Sequence, residues 1–452
     1  MYVAVQFLLN ARLVYQPLGS VGQPATLMGL GLFGWWVGTR ALRPQVIRGR
    51  QPLHVVVALY LLVFLVAFTL GLDRGLPGVE ASGMNRSVIS VLSIVGVLLV
   101  AADGLRTRAD VDLLLNRVVL GACFSALVGS AQFFFGYDLA ARMSVPGLSL
   151  HRQVVGIDSR GGPGFNRVAG TAGHYIEFGV VLAMLLPIAI HYALHAEDDR
   201  QRRRRGVAVA LLAVASSFSI SRSGTLALFV ALVALAAAWS GPMLAKAAVW
   251  GAIGVVGMRS AIPGLLGTIR SLFTNLGSDP SVQNRTADYD PLFAFVRERP
   301  WFGRGPGTFS PEDYILLDNQ YLGTLVETGY VGLVALLLLL LTGFLLARRV
   351  AVHARADSTR HLGQALAATI LSAILVSFTF DSLGFSTFRG QLFLIIGIAG
   401  ALWRIDRAAG ADAAGGTPPN RPVLRRSRRV VPLPSWWSTV VEGRAPGREV
   451  AS

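Results

Sequence analysis

A single cysteine, Cys123, stands in 452 residues, which excludes any intramolecular disulfide and with it the small stapled folds of secreted proteins. Charge is scarce too: 15% of residues are Asp, Glu, Lys or Arg, against 53% that are hydrophobic. With a mean hydropathy of +0.55, a chain of this length is too apolar for a soluble protein. The opening residues lack a basic segment and a small-residue cleavage site, so no cleavable signal peptide is expected and the first apolar run reads as a helix or a truncated start. Lysine is almost missing, and the net charge of +16 is carried by arginine.

What the chain has instead is a succession of apolar runs, the first of them short and the others suited to an α-helix that crosses about 30 Å of hydrocarbon. They fall near Met1–Tyr15, Pro24–Leu42, Leu53–Leu72, Arg86–Asp103, Val111–Phe135, Ala172–His195, Gly206–Ile220, Gly224–Trp239, Pro242–Met258, Tyr321–Ala347, Leu362–Asp381 and Phe385–Trp403. The runs are continuously apolar, not alternating, which argues against a β-barrel. The reading is an all-α integral membrane protein of about twelve spans.

Alternate loops carry the arginines. Arg43, Arg48 and Arg50, then Arg106 and Arg108, then Arg200 and Arg202 to Arg205, then Arg348, Arg349 and Arg355 fall on one side when the spans are threaded in order. By the bias of positive charge toward the cytoplasm, that side is inside. Residues 1–405 read as one polytopic transmembrane domain, and 406–452 as a basic, disordered cytoplasmic tail with Arg425, Arg426, Arg428 and Arg429. The tail fits a topology anchor touching anionic lipid, and a pI near 11 is no argument for nucleic acid.

The same threading puts three segments outside: 136–171, 219–223 and the large loop 259–320. Arg222, in the turn SFSISRSG, sits at or just inside the membrane surface, where an ionisable group is either functional or snorkelling to headgroups. Arg285 in QNRTADYD and Arg167 in GFNRVAGTAGHYIEFG lie on that face as well. The planar guanidinium donates paired hydrogen bonds to phosphate oxygens and stays charged, so the set suits a diphosphate.

In Pro300–Phe309, PWFGRGPGTF, Pro306 breaks any dinucleotide fingerprint, and Gly303 and Gly305 build either a structural turn or one that cradles a ligand. Asp288 and Asp290 form an Asp-x-Asp pair that resembles a metal site but reads as solvated loop carboxylates. Asp318 and Asn319 precede the long apolar run from Tyr321 and serve either as an N-cap or as a base facing an acceptor hydroxyl. Glu327 lies about two turns deeper, where a carboxylate faces a cavity or pairs with Arg222 or Arg285. His174 and Glu177, three apart, share one helix face and fit interfacial hydrogen bonding or substrate binding. They offer too few ligands for a metal, and no cofactor is expected.

Taken in order, FNRVAGTAGHYIEFG, the SRSG turn, NR opening the large loop, FGRGPGTF within it and DNQYLGTLVETGYVGL closing it resemble the O-antigen ligase and O-antigen polymerase-like superfamily of membrane glycosyltransferases. The resemblance spans roughly Arg167 to Leu341. It implies a glycosyltransferase C-like architecture in the bacterial inner membrane. It also implies transfer of a glycan from a polyprenyl-diphosphate-linked donor to an acceptor hydroxyl on the outer face, without metal or nucleotide sugar, in cell-envelope biogenesis. The family's diphosphate-binding arginines match Arg222 and Arg285. One departure stands out: the ligases commonly carry His-Asn where this chain has Asp318-Asn319, which tilts the expectation from lipid A ligase toward a polysaccharide polymerase or another envelope-glycan transferase. A transporter or flippase of lipid-linked oligosaccharide is the alternative, but it would tend to show inverted repeats, and none is visible. A non-catalytic scaffold leaves the outer arginines unexplained.

Overall fold

The structure is a computed structural model that describes residues 1–42, 51–150, 157–159, 165–274, 289–310, 313–315 and 317–413. Arg285 and Asp288 lie outside these, as do Arg43, Arg48, Arg50 and the tail arginines. By contact the chain divides into a unit Met1–Arg407, which holds the helices described below except the last residues of the final one, and a unit Ala408–Ser452.

The described chain is mostly helical, in keeping with its apolar runs. In order the helices are α1 (Tyr2–Leu8), α2 (Pro24–Leu42), α3 (Pro52–Leu72), α4 (Gly78–Gly104), α5 (Arg108–Phe135), α6 (Tyr175–Leu194), α7 (Asp199–Ser217) and α8 (Arg222–Ala236). They continue as α9 (Gly241–Ala261), α10 (Leu265–Thr274), α11 (Tyr289–Glu298), α12 (Gln320–His353), α13 (Asp357–Val376) and α14 (Ser386–Ala413). Two small antiparallel pairs join β1 (Leu13–Val14) to β2 (Ser149–Leu150) and β3 (Ile157–Ser159) to β4 (Asn166–Val168).

Among the described residues, seven helices are long and apolar enough to cross a membrane: α3, α4, α5, α6, α9, α12 and α13. The others fall short for local reasons. The α8 helix is apolar but has 15 residues, and α7 opens on Arg200 and the run Arg202 to Arg205. The first apolar run yields only the seven-residue α1, about 10 Å long and too short to span. It stops because Asn10 and Arg12 turn away: Asn10 Nδ2 donates to the Ala140 carbonyl at 2.7 Å and Arg12 pairs with Asp138 at 2.8 Å.

Helix α6 is the hub, packed on α5, α7, α8 and α13 and buried along most of its length. Close approach there depends on glycine: a Cβ on Gly179 would lie 2.2 Å from Ser219 Oγ, and one on Gly129 would lie 2.4 Å from the Phe178 ring. Helix α9 buries none of its residues.

Polar groups gather at the two ends of the bundle. At the arginine-rich end Asp103 takes Arg40, His54 and the Trp36 indole N–H, while Asp112 takes Arg108 and the Tyr192 hydroxyl. Trp239 Nε1 donates to His361 Nε2 at 3.1 Å. Because indole is only a donor, the His361 proton must sit on Nδ1, which faces His191 Nδ1 at 3.0 Å. His191, His195 and His361 are close enough to suggest a metal site, but this directed chain already uses both nitrogens of His361. The opposite end holds the site.

Candidate active site

At the site end α12 is broken. Gly329 has φ 68 and ψ −172 inside it, a conformation open essentially to glycine alone. The break leaves carbonyls and N–H groups without their helical partners, and the PWFGRG loop supplies substitutes. Arg304 N–H donates to the Val326 carbonyl at 3.0 Å and Gly305 N–H to the Glu327 carbonyl at 2.9 Å. Returning, Tyr330 N–H donates to the Pro300 carbonyl at 2.8 Å and Val331 N–H to the Trp301 carbonyl at 3.1 Å. Discontinuous helices satisfied by neighbouring backbone are how a membrane protein opens a polar cavity.

The glycines permit this threading. A Cβ on Gly303 would lie 2.4 Å from Glu327 backbone, and Gly305 and Gly307 abut Gly71 and Gly83 of α3 and α4. Of the two readings left open for Gly303 and Gly305, the geometry supports the structural turn. Arg304 then clamps the loop, pairing with Glu298 at 3.2 Å and the Tyr314 hydroxyl at 2.9 Å, while Glu80 takes Tyr314 and Arg74. The bond to Glu80 raises the Tyr314 pKa above its ordinary value.

Beside the break lies a cavity of about 720 Å³ between α3, α4, the start of α12 and the segment before α14. It is lined by Asp318, Glu327 and His174, which the motifs singled out, and by Arg86, Asp381 and Arg389, which they did not. Asn319 is an N-cap: its Oδ1 accepts from Tyr321 N–H at 3.0 Å and Leu322 N–H at 3.3 Å. The adjacent Asp318 stands on the cavity wall. Glu327 Oε1 accepts from Phe309 N–H at 3.4 Å, so its partner is the loop backbone.

His174 caps α6, its Nδ1 accepting from Ile176 N–H at 3.3 Å. Burial, followed by the charge of Arg167, lowers its pKa to about 4, and Asp318 and Asp158 pull the other way. The ring is therefore neutral near pH 7, with its proton on Nε2. Asp381 is solvent-accessible through the cavity it lines. Loss of water to the protein packed around it holds its carboxyl up to about 6, the Gly384 N–H and Arg389 oppose the rise, and Asp318 adds to it. Arg389 is buried, held by the Leu383 carbonyl and Thr26 Oγ1, each at 3.2 Å. Arg86 is half-buried and bonds the Ser82 carbonyl at 3.2 Å.

Arg222 is the first residue of α8, half-buried, behind its N-cap Ser221. Ile220 just before it has φ 42, which for a β-branched residue is strain, of the kind that clusters at functional turns. Arg222 does not line the cavity. The turn does abut the cavity wall, since Thr379 Oγ1 donates to Ser223 Oγ at 2.8 Å, two residues before Asp381. Arg167 lies in β4, pairs with Asp158 at 3.3 Å and stands 3.7 Å over the Tyr175 ring, one residue from His174. Glu177 is buried and engaged elsewhere: it accepts from Gly173 N–H at 2.7 Å, Thr387 N–H at 2.6 Å and Phe388 N–H at 3.0 Å, stapling the start of α14 to α6.

Residues 207–337 match the O-antigen ligase family. The match runs from α7 into the broken helix α12, and so contains Arg222, Arg285, Asp318 and Glu327. It supports the superfamily that the ordered motifs resemble and a membrane glycan-transferring enzyme of ligase or polymerase type. A search of curated proteins finds no match. His174, Arg86, Asp381 and Arg389, which share the cavity, lie outside the O-antigen ligase segment. For the last three the available signal was an ionisable residue at the edge of an apolar run, which is a functional hypothesis in its own right.

Proposed function

We propose that the protein transfers a glycan from a polyprenyl-diphosphate-linked donor to an acceptor hydroxyl in the cavity beside Gly329, at the outer face of the inner membrane. The observation that carries this reading is the convergence of Asp318, His174 and Asp381 with Arg86 and Arg389 on one polar cavity inside an apolar bundle. The O-antigen ligase match supports lipid-linked glycan chemistry in general.

In this mechanism the acceptor oxygen attacks the anomeric carbon of the donor, and the bond from that carbon to the diphosphate oxygen breaks. The acceptor proton passes to Asp318, and the electron pair leaves on the diphosphate. Arg222 and Arg285 supply the charge that meets the leaving diphosphate, assisted by Arg167; positive charge stabilises the charge that develops there. His174, neutral, donates a hydrogen bond from its Nε2–H to the acceptor oxygen or to Asp318 and keeps its proton. Asn319 fixes the helix start that presents Asp318, and Gly303, Gly305, Glu177 and Glu327 hold the walls. No metal or cofactor takes part.

The test is glycan transfer in proteoliposomes carrying a lipid-linked donor, comparing wild type with Arg222→Ala, Arg285→Ala and Asp318→Asn. Transfer lost in all three with folded protein supports the reading; transfer unchanged in both arginine variants overturns the diphosphate site. Transfer that persists in chelator bears on metal independence, and cysteine labelling that places position 285 in the cytoplasm would refute the orientation.

A further inference from the structure

The transfer cavity has two parts. Toward the site end its wall is polar, with Asp318, Asp381 and Arg86. Deeper in the bundle it continues as an apolar arm lined by Val63 and Phe64 of α3 and by Val91 and Ile94 of α4. The arm exists because α3 packs mainly on α12 and α4 mainly on α2, while the two touch each other little.

Arg86 stands where the two parts meet, and its depth is readable. With 27 residues, α4 rises about 40 Å against about 30 Å of hydrocarbon, so a centred helix projects about 5 Å at each end. Arg86 is eight residues past Gly78, the first of the helix, which puts its Cα about 7 Å below the hydrocarbon boundary on the site side and Ile94 about 12 Å deeper still. The side chain runs back toward that boundary. Its Nε donates to the Ser82 carbonyl, one turn nearer the site end, and its Nη1 would lie 3.5 Å from a Cβ on Gly19. The guanidinium is thereby brought to the level of lipid phosphates. Although Asp318, Glu327 and Asp381 share the cavity, Arg86 forms no ion pair among the described residues. A cation so placed calls for an anionic partner.

A cavity that is apolar in its depth and cationic at phosphate level has the polarity of a prenyl diphosphate. We propose that Arg86 holds the donor's phosphate nearest the prenyl chain, with the first isoprene units in the arm between α3 and α4. The inference rests on the polyprenyl-diphosphate donor proposed above and divides the work among its arginines. When the bond to the anomeric carbon breaks, the new charge develops on the phosphate nearest the sugar; the phosphate nearest the chain is charged before and after. A cation on the first lowers the barrier, whereas one on the second binds donor and transition state alike and so sets KM, not kcat.

The full-length protein in detergent is titrated with farnesyl diphosphate, inorganic diphosphate or phosphatidylglycerol, and retained ligand is read by native mass spectrometry. Farnesyl diphosphate is expected to bind at least about tenfold tighter than either of the others. Arg86→Gln is expected to weaken it about tenfold, the effect of one charge-assisted contact, and Arg86→Lys to recover most of the loss. In the transfer assay Arg86→Gln is expected to raise the donor KM about tenfold with kcat held to within about twofold, whereas Arg222→Ala lowers kcat. If wild type binds farnesyl diphosphate and folded Arg86→Gln binds it equally well, the role of Arg86 falls alone; if wild type binds no prenyl diphosphate, the donor reading falls with it. Equal affinity for inorganic diphosphate would remove the arm, equal affinity for phosphatidylglycerol would make Arg86 a headgroup contact, and a kcat loss matching that of Arg222→Ala would place Arg86 at the leaving phosphate. Each of these results overturns the inference.

Discussion

Replacing Gly329 by alanine tests the architecture of the site more directly than any change of charge. The residue sits at φ 68, ψ −172, where an L side chain costs about 1–3 kcal/mol in backbone strain alone. Its Cβ would also lie 2.3 Å from the Trp301 carbonyl carbon and oxygen and 2.5 Å from Phe302 N. These are backbone atoms, so the loop must move, and with it the four reciprocal bonds that join Pro300, Trp301, Arg304 and Gly305 to α12. Each net bond contributes about 1 kcal/mol. Strain plus even half of the bonds gives a loss of about 3–5 kcal/mol. The control is Gly323→Ala in the same helix, where nothing lies within 4 Å and alanine should be neutral or stabilising by about 0.5–1 kcal/mol. Unfolding in a denaturing detergent titration separates the two. If Gly329→Ala unfolds at the same midpoint as Gly323→Ala, the broken-helix account is wrong.

Glu177→Ala leaves three N–H groups without an acceptor, those of Thr387 and Phe388 buried, and should cost about 3 kcal/mol, seen as a lower melting temperature, whereas Glu177→Gln recovers part of it; a stable Glu177→Ala would restore a substrate-binding role for this residue. Arg222→Lys should keep more transfer than Arg222→Ala, which should lose about 10²–10³-fold in rate, measured by single-turnover transfer at saturating donor. The carboxyl of Asp381 is raised from 3.8 to about 6, so the native state holds the extra proton: relative to Asp381→Asn, wild-type stability should be full below about pH 4 and fall as pH rises through about 6. His174, lowered to about 4, runs the other way; relative to His174→Asn, wild type should lose stability as pH falls from about 6.5 toward 4. Melting curves of the two variants against wild type between those values check both signs, and parallel curves would refute them.

Much of this was local and therefore readable from sequence. Long apolar runs demand helices because a backbone in hydrocarbon must bond to itself, and the runs around α3, α5, α12 and α13 are where helices form. Asn319 caps α12 as its position before an apolar run suggests. Asp318, His174 and Glu327 were singled out because a polar residue at the edge of a span must have a reason. The first run is short for a span, and hydropathy alone does not register that Asn10 and Arg12, just past α1, find partners in a loop more than a hundred residues away.

The chemistry of single residues thus determined the class of protein, its helices and three members of the cavity. Only the tertiary structure decided what those residues do together. Glu177 reads from sequence as a carboxylate at a membrane surface, but the start of α14, some 210 residues on, turns it into a staple. The glycine loop reads as a turn of either kind until the break at Gly329 gives its N–H and carbonyl groups something to bond. Arg86, Asp381 and Arg389 join the cavity from α4 and from the chain around the start of α14, and no spacing in one segment encodes that meeting. Periodicity and capping act over a few residues and leave their mark in the sequence. A cavity belongs to the packing of helices far apart in the chain, and its charge exists only once they are assembled.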